Sequence, residues 1–326
     1  MLFSVVITTR NRPALLRRAL ASVRQQACED FEVVVVDDGS APGFAAEHAA
    51  LALELGDRGA FHRLAPSPGG LGPSLARNHG AAAAAAAYIA FLDDDDEWID
   101  PDYLAAVARS LAAHPGTDLH YANQVAVRAD GSTVGGVVWI EDLAEILPRT
   151  LPRQSDGTFA VTAAHLLQSQ GFCHLNATVV RRQFFQDLGG FDASLRYEED
   201  RDFHLRGIDT AGTMLYSPAV VARHHVPDRG TASTSLSPDQ RSLDQLRVLD
   251  KAILRASRAE IRAYAKRHKA YTLKAIAQRQ LLRGNHDLAH FYASEALGIG
   301  LNAKWLGYVG WLWFKRGRAR PTPPSP

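Results

Sequence analysis

Four consecutive aspartates, Asp93 to Asp96, follow directly after an apolar segment at 88–92. Adjacent carboxylates repel one another unless a cation neutralises them, and hard cations such as Mg²⁺ and Mn²⁺ prefer oxygen ligands. A site that uses only one or two carboxylates also leaves room for the phosphates of a nucleotide. The run therefore predicts a divalent-metal site at the end of a strand, and the alternative is a solvated acidic loop.

The elements around the aspartates predict a parallel sheet. Continuous β-branched residues at 3–8 and 31–36 indicate buried strands, and Pro13 can open a helix between them. A strand, a helix and a strand in that order form a βαβ unit, whose strands are parallel. Because open parallel sheets bind ligands outside the carboxyl ends of their strands, we expect Asp37 and Asp38 to face the same crevice as the aspartate run. A turn or a helix cap would also explain these two residues.

The remaining elements of the first part of the chain follow from periodicity and turn residues. We expect helices at 74–87 and 101–113, a hairpin of strands 119–127 and 133–140, a strand at 177–180, a short helix at 184–188, a helix from about Glu198 and a strand at 219–222. Residues 141–172 show no clear pattern, and we expect them to cover the site.

Charge is unevenly distributed along the 326 residues. Those from Arg241 onward hold 17 Lys/Arg against 5 Asp/Glu, whereas the first 240 hold 19 against 30. The asymmetry suggests an acidic catalytic body joined to a basic helical tail.

Cys28 and Cys173 are too few for a disulfide framework and suit a reduced, cytosolic setting. The apolar N-terminus is too short for a signal peptide, and no stretch reaches the roughly 20 apolar residues of a membrane-spanning helix.

From about Pro238 the pattern becomes helical. We place an α/β domain at 1–237, a helical subdomain at 238–320 and a disordered tail at 321–326. Aromatic residues mix with cations between Trp305 and Arg320, which indicates either a peripheral contact to the inner face of an anionic membrane or a packed helix with a solvated basic end. Leucines and alanines at helical spacing favour a packed subdomain over a nucleic-acid-binding tail, so we expect no nucleic-acid partner.

Six short segments, taken together, resemble the family 2 glycosyltransferases, which have the GT-A fold. The order of the segments matches the family over roughly the first 230 residues. The resemblance implies an α/β domain with a mostly parallel sheet flanked by helices, and the C-terminal helical extension lies outside it. The matching segments are Ser4-Val-Val-Ile-Thr-Thr-Arg-Asn-Arg-Pro13, Val35-Val-Asp-Asp-Gly-Ser40, Ala76-Arg-Asn-His-Gly80, Tyr88-Ile-Ala-Phe-Leu-Asp-Asp-Asp-Asp96, Gly189-Gly-Phe-Asp192 and Glu199-Asp200.

The resemblance assigns residues to a nucleotide-sugar donor. With four aspartates the register of the family's DxD motif is ambiguous, but the usual pattern begins at Asp93. We assign Asp95 to a Mn²⁺ or Mg²⁺ ion and Asp93 to the ribose or to the metal's water shell, with Asp94 as a further donor-binding candidate. The resemblance also implies a base pocket and an arginine near the donor. Their residues are Asp38, which would accept a hydrogen bond from the base, Thr9 and Arg10, which would line the pocket, and Arg77.

The same resemblance assigns the catalytic base and a further metal ligand. Asp200 matches the base that takes the proton of the attacking hydroxyl, which implies single displacement with inversion. Glu199 and Asp202 are the alternatives, and helical spacing turns Asp202 away, so we expect it to form a salt bridge. Without the resemblance this acidic run would be a solvated helix start. Neutral imidazole is a good Mn²⁺ ligand, and we prefer His225 as the ligand, with His224 close behind.

The predicted protein is a metal-dependent inverting glycosyltransferase that moves a sugar from a UDP- or dTDP-sugar to a hydroxyl acceptor. We expect residues 141–172 to contribute to acceptor recognition and the product to be a surface polysaccharide, a glycolipid or another glycoconjugate. One alternative is a sugar-nucleotide nucleotidyltransferase, but Thr9 to Pro13 match its Gly-rich phosphate loop poorly. The other is a non-catalytic metal- or carbohydrate-binding module, which leaves Glu199 and Asp200 unexplained.

Overall fold

The computed structural model describes residues 1–226 and 236–318. The chain divides into two compact units, Met1–Ser235 and Leu236–Pro326. The tail expected at 321–326 lies outside the described residues.

The first unit is built on one mixed sheet. Within the described residues the sheet has nine strands in the order β3-β2-β1-β4-β8-β6-β9-β5, and β7 pairs with β9. Strands β3, β2, β1 and β4 are mutually parallel, as are β6 and β9, and β8 is antiparallel to both of its neighbours. The strands are Phe3–Thr9 (β1), Phe31–Asp37 (β2), Gly59–Arg63 (β3), Tyr88–Asp93 (β4), Glu97–Trp98 (β5), Leu119–Val127 (β6), Phe159–Val161 (β7), Thr178–Arg181 (β8) and Met214–His225 (β9).

Helices flank this sheet. Those of the first unit are Pro13–Arg24 (α1), Ala45–Leu55 (α2), Pro73–Ala83 (α3), Tyr103–Ala113 (α4), Leu143–Ile146 (α5), Ala163–Leu166 (α6), Arg182–Asp187 (α7) and Glu199–Thr210 (α8). Pro13 occupies the first turn of α1, where its missing N–H costs nothing. In α3, Gly80 packs so close to β1 that a Cβ there would lie 2.4 Å from Val6 Cγ1, which requires glycine at this contact.

The predicted βαβ unit and the strand before the aspartates are confirmed. Val5, Val6 and Ile7 of β1 are at most 1% exposed, as a strand covered on both faces requires. Elements that were not predicted include α2, the short β5, α5, β7 and α6, and the edge strand β3, whose residues are mostly half-buried.

Three predicted elements were wrong in extent, and one of them, the strand expected at 219–222, is the middle of the longer β9. Residues 133–140 form no strand beyond the single bridge between Val127 and Thr133. The edge of β6 expected for them is taken by β9, in parallel register, which a local hairpin pattern cannot reveal. Helix α3 stops at Ala83 and not at Ala87, because the N–H groups of Ala85 and Ala86 donate to side chains of the neighbouring strands instead of continuing the helix.

The second unit is helical. Its helices are Pro238–Arg255 (α9), Ala259–Leu282 (α10), His286–Ile299 (α11) and Ala303–Arg318 (α12). A small core forms where Ala277, Ala289, Ala293 and Leu312 pack together. Among the described residues, the helices all fall short of the length and apolar character that crossing a membrane requires.

Candidate active site

The aspartate run leaves the sheet at the carboxyl end of β4, as expected. Ligand oxygens of Asp93, Asp95 and Asp96 all lie within 4.8 Å of one another. The four side chains nevertheless have different partners and different burial, so the run is not a uniform acidic loop. Each carboxylate has its own place in the site.

Asp93 is held by Arg77, which is buried at the start of α3. Arg77 Nη2 lies 2.6 Å from Asp93 Oδ1, and Arg77 Nη1 lies 2.7 Å from Glu199 Oε1. Burial alone would raise the pKa of Asp93, but the Arg77 guanidinium outweighs it and holds that pKa below its ordinary value. Arg77 therefore joins the end of β4 to the first turn of α8.

Asp94 points in another direction and is 1% exposed. Thr9 Oγ1 donates to Asp94 Oδ2 at 2.6 Å, and Arg12 Nη2 lies 2.6 Å from Asp94 Oδ1. Burial raises the pKa of Asp94 to about 7, with Arg12 opposing the shift and Asp95 adding to it. The Asp94 side chain thus fixes the end of β1 and the Asn11-Arg12-Pro13 turn against β4.

Asp95 lies closer to the surface and also contacts Arg12, at 2.8 Å from Nη1 to Oδ2. Burial, followed by repulsion from Asp96 and Asp93, raises its pKa above the ordinary value. A carboxylate whose ionisation is disfavoured by neighbouring carboxylates is stabilised when a cation binds beside it.

Asp96 is fully buried and its oxygens are used by neighbours within the protein. Oδ2 accepts from Asn176 Nδ2 at 2.5 Å and lies 2.8 Å from His224 Nδ1, while Oδ1 accepts from the main-chain N–H of His225 at 2.8 Å. This carboxylate therefore ties β9 and the turn before β8 to the acidic run.

A divalent cation fits this donor set. Asp93 and Asp95 each bind an arginine through one carboxylate oxygen, which leaves the second oxygen of each for a hard cation. Asp96, with both oxygens engaged, is better placed to orient the site than to ligate. Asp95 would hold the ion with Asp93 beside it, and the hydrogen bonds that Asp96 accepts from Asn176 and from the His225 N–H would fix the loop that presents them.

The two histidines at the end of β9 separate in the structure. His224 contacts Asp96 and stacks edge-on against Trp139 and His174. Burial alone would lower the pKa of His224, but its hydrogen bond to Asp96 raises it overall. The His225 ring instead lies 3.2 Å from Glu97, and its role as a metal ligand stays a prediction.

The candidate base lies in the first turn of α8. Asp200 Oδ1 accepts from the main-chain N–H of Arg201, and Glu198 adopts a left-handed conformation with φ of 65° immediately before the helix. Burial, followed by repulsion from Glu198, raises the pKa of Asp200 to about 6. Asp202 pairs with Arg206 at 2.9 Å, as its helical position predicted.

The expected base pocket is closed by a loop. Asp38 Oδ1 accepts from Leu71 N at 2.8 Å and Oδ2 from Gly72 N at 2.9 Å. Gly70, with φ of 73°, lies so close that a Cβ there would be 2.3 Å from the Asp38 carboxylate. Arg10 donates to the carbonyl of Ser67 in the same loop. Asp38 and Arg10 are thus together, and their contact with a nucleotide base stays a prediction.

Two residues of the site lacked a clear sequence signal. Arg12 had no assigned role, although its place beside Pro13 at the carboxyl end of β1 could have suggested one. Asn176 likewise had no assigned role. It lies 80 positions from Asp96 and 83 from Asp93, whose N–H it accepts at 3.0 Å. Only the pairing of β4 with β8 brings Asn176 there.

Comparison with known proteins agrees with this fold. The model of the glycosyl transferase family 2 matches residues 4–189, more than half of the chain. A PGL/p-HBAD biosynthesis glycosyltransferase of Mycobacterium bovis is 29% identical over 223 residues, which are 68% of this chain and 73% of that protein. Succinoglycan biosynthesis protein ExoW of Rhizobium meliloti is 34% identical over 198 residues, 57% of this chain and 56% of ExoW.

Solved structures of S. aureus TarS share the fold. The complex of TarS 1-349 with UDP-GlcNAc superposes with a TM-score of 0.68 at 18% identity and covers 98% of this chain and 88% of that one. A longer TarS structure gives a TM-score of 0.61, and this chain spans about half of it, 53%.

A mostly parallel mixed sheet flanked by helices, with acidic side chains at the carboxyl end of its fourth strand, defines a GT-A glycosyltransferase. The chain belongs to glycosyl transferase family 2 and is a transferase. The nucleotidyltransferase and the binding module are thereby set aside.

Proposed function

We propose that this enzyme transfers a sugar from a nucleoside-diphosphate donor, UDP or dTDP, to a hydroxyl acceptor with inversion at the anomeric carbon. The observation that carries the proposal is the double ion pair of Arg77 with Asp93 and Glu199. One buried guanidinium therefore contacts both Asp93, in the candidate metal site, and Glu199, in the helix turn that carries the candidate base Asp200.

Asp200 acts as the base. Its pKa of about 6 leaves it ionised at neutral pH and close enough to the operating pH to accept a proton from the acceptor hydroxyl. A single carboxylate base that activates the acceptor directly corresponds to one displacement, and therefore to inversion. Arg77, paired with the neighbouring Glu199, keeps the first turn of α8 in place.

Asp95 would hold Mn²⁺ or Mg²⁺, and Asp93, which the resemblance assigns to the ribose or to the metal's water shell, would supply a second carboxylate oxygen. A bound divalent ion supplies Lewis-acid stabilisation of the negative charge that develops on the diphosphate leaving group. Asp96, held by Asn176 and His224, orients the run. Asp94 anchors Thr9 and Arg12, and so positions the end of β1 beside the donor.

The base of the donor binds where Asp38, Thr9 and Arg10 meet at the ends of β1 and β2. The imide N–H of a pyrimidine base is a suitable hydrogen-bond donor to the Asp38 carboxylate. This requires the Leu71 and Gly72 N–H groups to release at least part of that carboxylate. The UDP and UDP-GlcNAc complexes of TarS, a protein of the same fold, support a uridine donor.

The acceptor is an intermediate in the synthesis of a polysaccharide or a glycolipid. Support comes from the relatives, whose names refer to PGL/p-HBAD and to succinoglycan biosynthesis. A peripheral contact with an anionic membrane surface through α12 would suit a lipid-linked acceptor. On α12 Trp313 is 66% and Phe314 52% exposed, and Lys315 lies over the ring of Trp311 at 4.7 Å.

A thermal-stability screen tests the donor proposal. UDP, dTDP, GDP and their sugars are added with Mn²⁺, since a ligand that binds the folded state raises the melting temperature. UDP or dTDP compounds should stabilise the wild type and stabilise Asp95→Ala much less. Equal stabilisation without metal, or by GDP alone, would contradict the proposal.

A further inference from the structure

A cleft of about 830 Å³ opens beside the aspartate run, within the first unit. Its volume lies in the range of about 300–1,000 Å³ that is typical of small-molecule sites. Asp95 forms part of its wall, so the cleft adjoins the candidate metal site. Four arginines line it, namely Arg12, Arg18, Arg128 and Arg223, and we call it the arginine cleft.

Two of these arginines are neutralised by carboxylates. Arg12 pairs with Asp94 and Asp95, and Arg223 pairs with Glu97 at 2.6 Å. These contacts hold the two guanidinium groups in fixed positions at the wall. Asp94, Asp95 and Glu97 are therefore already paired with Arg12 and Arg223.

The other two arginines form no salt bridge with a carboxylate within the described part of the chain, although the exposed Asp130 lies near enough to Arg128 to interact with its charge. Arg18 donates to the main-chain carbonyl of Asp95, and its buried Nε has no acceptor there. Arg128 donates to Ser132 Oγ and to the carbonyl of Thr133, contacts that orient it without neutralising it. Two oriented guanidinium groups in one cleft are donors for an oxyanion, since their fork matches carboxylate and phosphate oxygens.

The rest of the wall is apolar. Leu15 of α1 and Val125 and Val127 of β6 line the same space. A free inorganic ion would leave this surface uncovered, whereas the carbon skeleton of a larger molecule would cover it. The wall therefore favours an organic ligand that carries its oxyanion at one end.

We propose that the arginine cleft is an acceptor subsite that binds an oxyanion, phosphate or carboxylate, on the acceptor, through Arg18 and Arg128. This rests on the proposed glycosyl transfer, because an acceptor anchored here lies beside the wall that Asp95 shares with the metal site. The oxyanion subsite would select acceptors that carry such a group over neutral sugars.

Calorimetric titration with three small probes tests the subsite. Glycerol 3-phosphate, glycerate and neutral glycerol are titrated into the full chain, both alone and saturated with UDP and Mn²⁺. The charged probes should bind under both conditions and glycerol should not. The charged probe that binds more tightly shows whether the subsite prefers phosphate or carboxylate.

Variants locate the binding. Arg128→Ala, in an exposed turn, and Arg18→Ala should each weaken the charged probes at least tenfold, and Arg128→Ala should leave UDP affinity unchanged. Arg17→Ala is the matched control, since Arg17 pairs with Glu54 on the outer face of α1. Probe affinities equal to wild type in both variants would overturn the subsite, as would a loss of UDP affinity in place of probe affinity. Failure of UDP to bind, with arginine-dependent probe binding intact, would refute the donor proposal and leave the oxyanion site standing.

Discussion

Arg77 Nη1 lies 2.7 Å from Glu199 Oε1, across a sequence separation of 122 residues. The same guanidinium holds Asp93, so α3 carries the residue that connects the candidate metal site with the candidate base. The contact is buried at both ends, with side chains about one tenth exposed. The activity of the enzyme should therefore be sensitive to Arg77 even though Arg77 transfers no proton.

Arg77→Ala should destabilise the protein by about 3–5 kcal/mol, because it leaves two carboxylates of a buried network without their partner. Urea denaturation followed by circular dichroism measures this. Arg17→Ala, which breaks an exposed pair with Glu54, should shift the midpoint far less, because solvent screens that pair. Equal midpoints for the Arg77 variant and the wild type would show that the bridge contributes nothing.

Asp200 should set the acidic limb of the pH profile. Its carboxylate must be ionised to accept a proton, and its pKa is about 6. The ratio kcat/KM should rise with pH through about 6 and level off above it. Asp200→Asn should lower kcat by about 10²–10⁴-fold while donor affinity stays near the wild-type value. An unchanged acidic limb in that variant would assign the titration to another group.

Asn176 should matter for the metal as well as for stability. Asn176→Ala removes partners of the Asp93 N–H and of the Asp96 carboxylate, at a cost of about 1–3 kcal/mol for each group left unsatisfied. Mn²⁺ affinity, measured by titration, should fall with it. The control is Asn123→Ala, an equally buried asparagine that bonds Tyr216. If both variants lose stability and neither loses Mn²⁺ affinity, Asn176 is structural only.

The membrane contact of α12 can be measured by co-sedimentation with vesicles. Wild type should bind phosphatidylglycerol vesicles more than phosphatidylcholine vesicles, and less at high salt. Trp313→Ala combined with Lys315→Ala should reduce binding. Leu282→Ala removes another exposed apolar side chain, from α10, and should leave binding unchanged. Equal binding to both kinds of vesicle would argue against a membrane contact of α12. So would binding of the Leu282→Ala control that is as weak as that of the double variant.

Local pattern was enough for the elements that begin the sheet. Continuous β-branched residues and Pro13 predicted β1, α1 and β2, and the apolar segment before Asp93 predicted β4. The hairpin partner of β6 failed because β9, distant in sequence, pairs there instead. Long-range strand order depends on packing of the whole sheet, which a local alternation of residues does not encode.

The candidate site, like the fold, was predicted only in part from the sequence. The sequence placed Asp93, Asp95 and Asp200 in one site by the order of short segments. It could not divide the work among the four aspartates, because that depends on which partner reaches each carboxylate. Arg12 reaches Asp94 and Asp95, whereas Asn176 reaches Asp96, and neither contact follows from spacing along the chain.

The most direct test of the central claim is the anomer released when water replaces the acceptor. An α-linked UDP-sugar or dTDP-sugar is incubated with the enzyme and Mn²⁺, and proton NMR at early times records the anomeric configuration of the free sugar. Inverting transfer with Asp200 as base predicts that the β-anomer appears first and that Asp200→Asn releases it about 10²–10⁴-fold more slowly. Initial release of the α-anomer, or release by Asp200→Asn at the wild-type rate, would contradict the account.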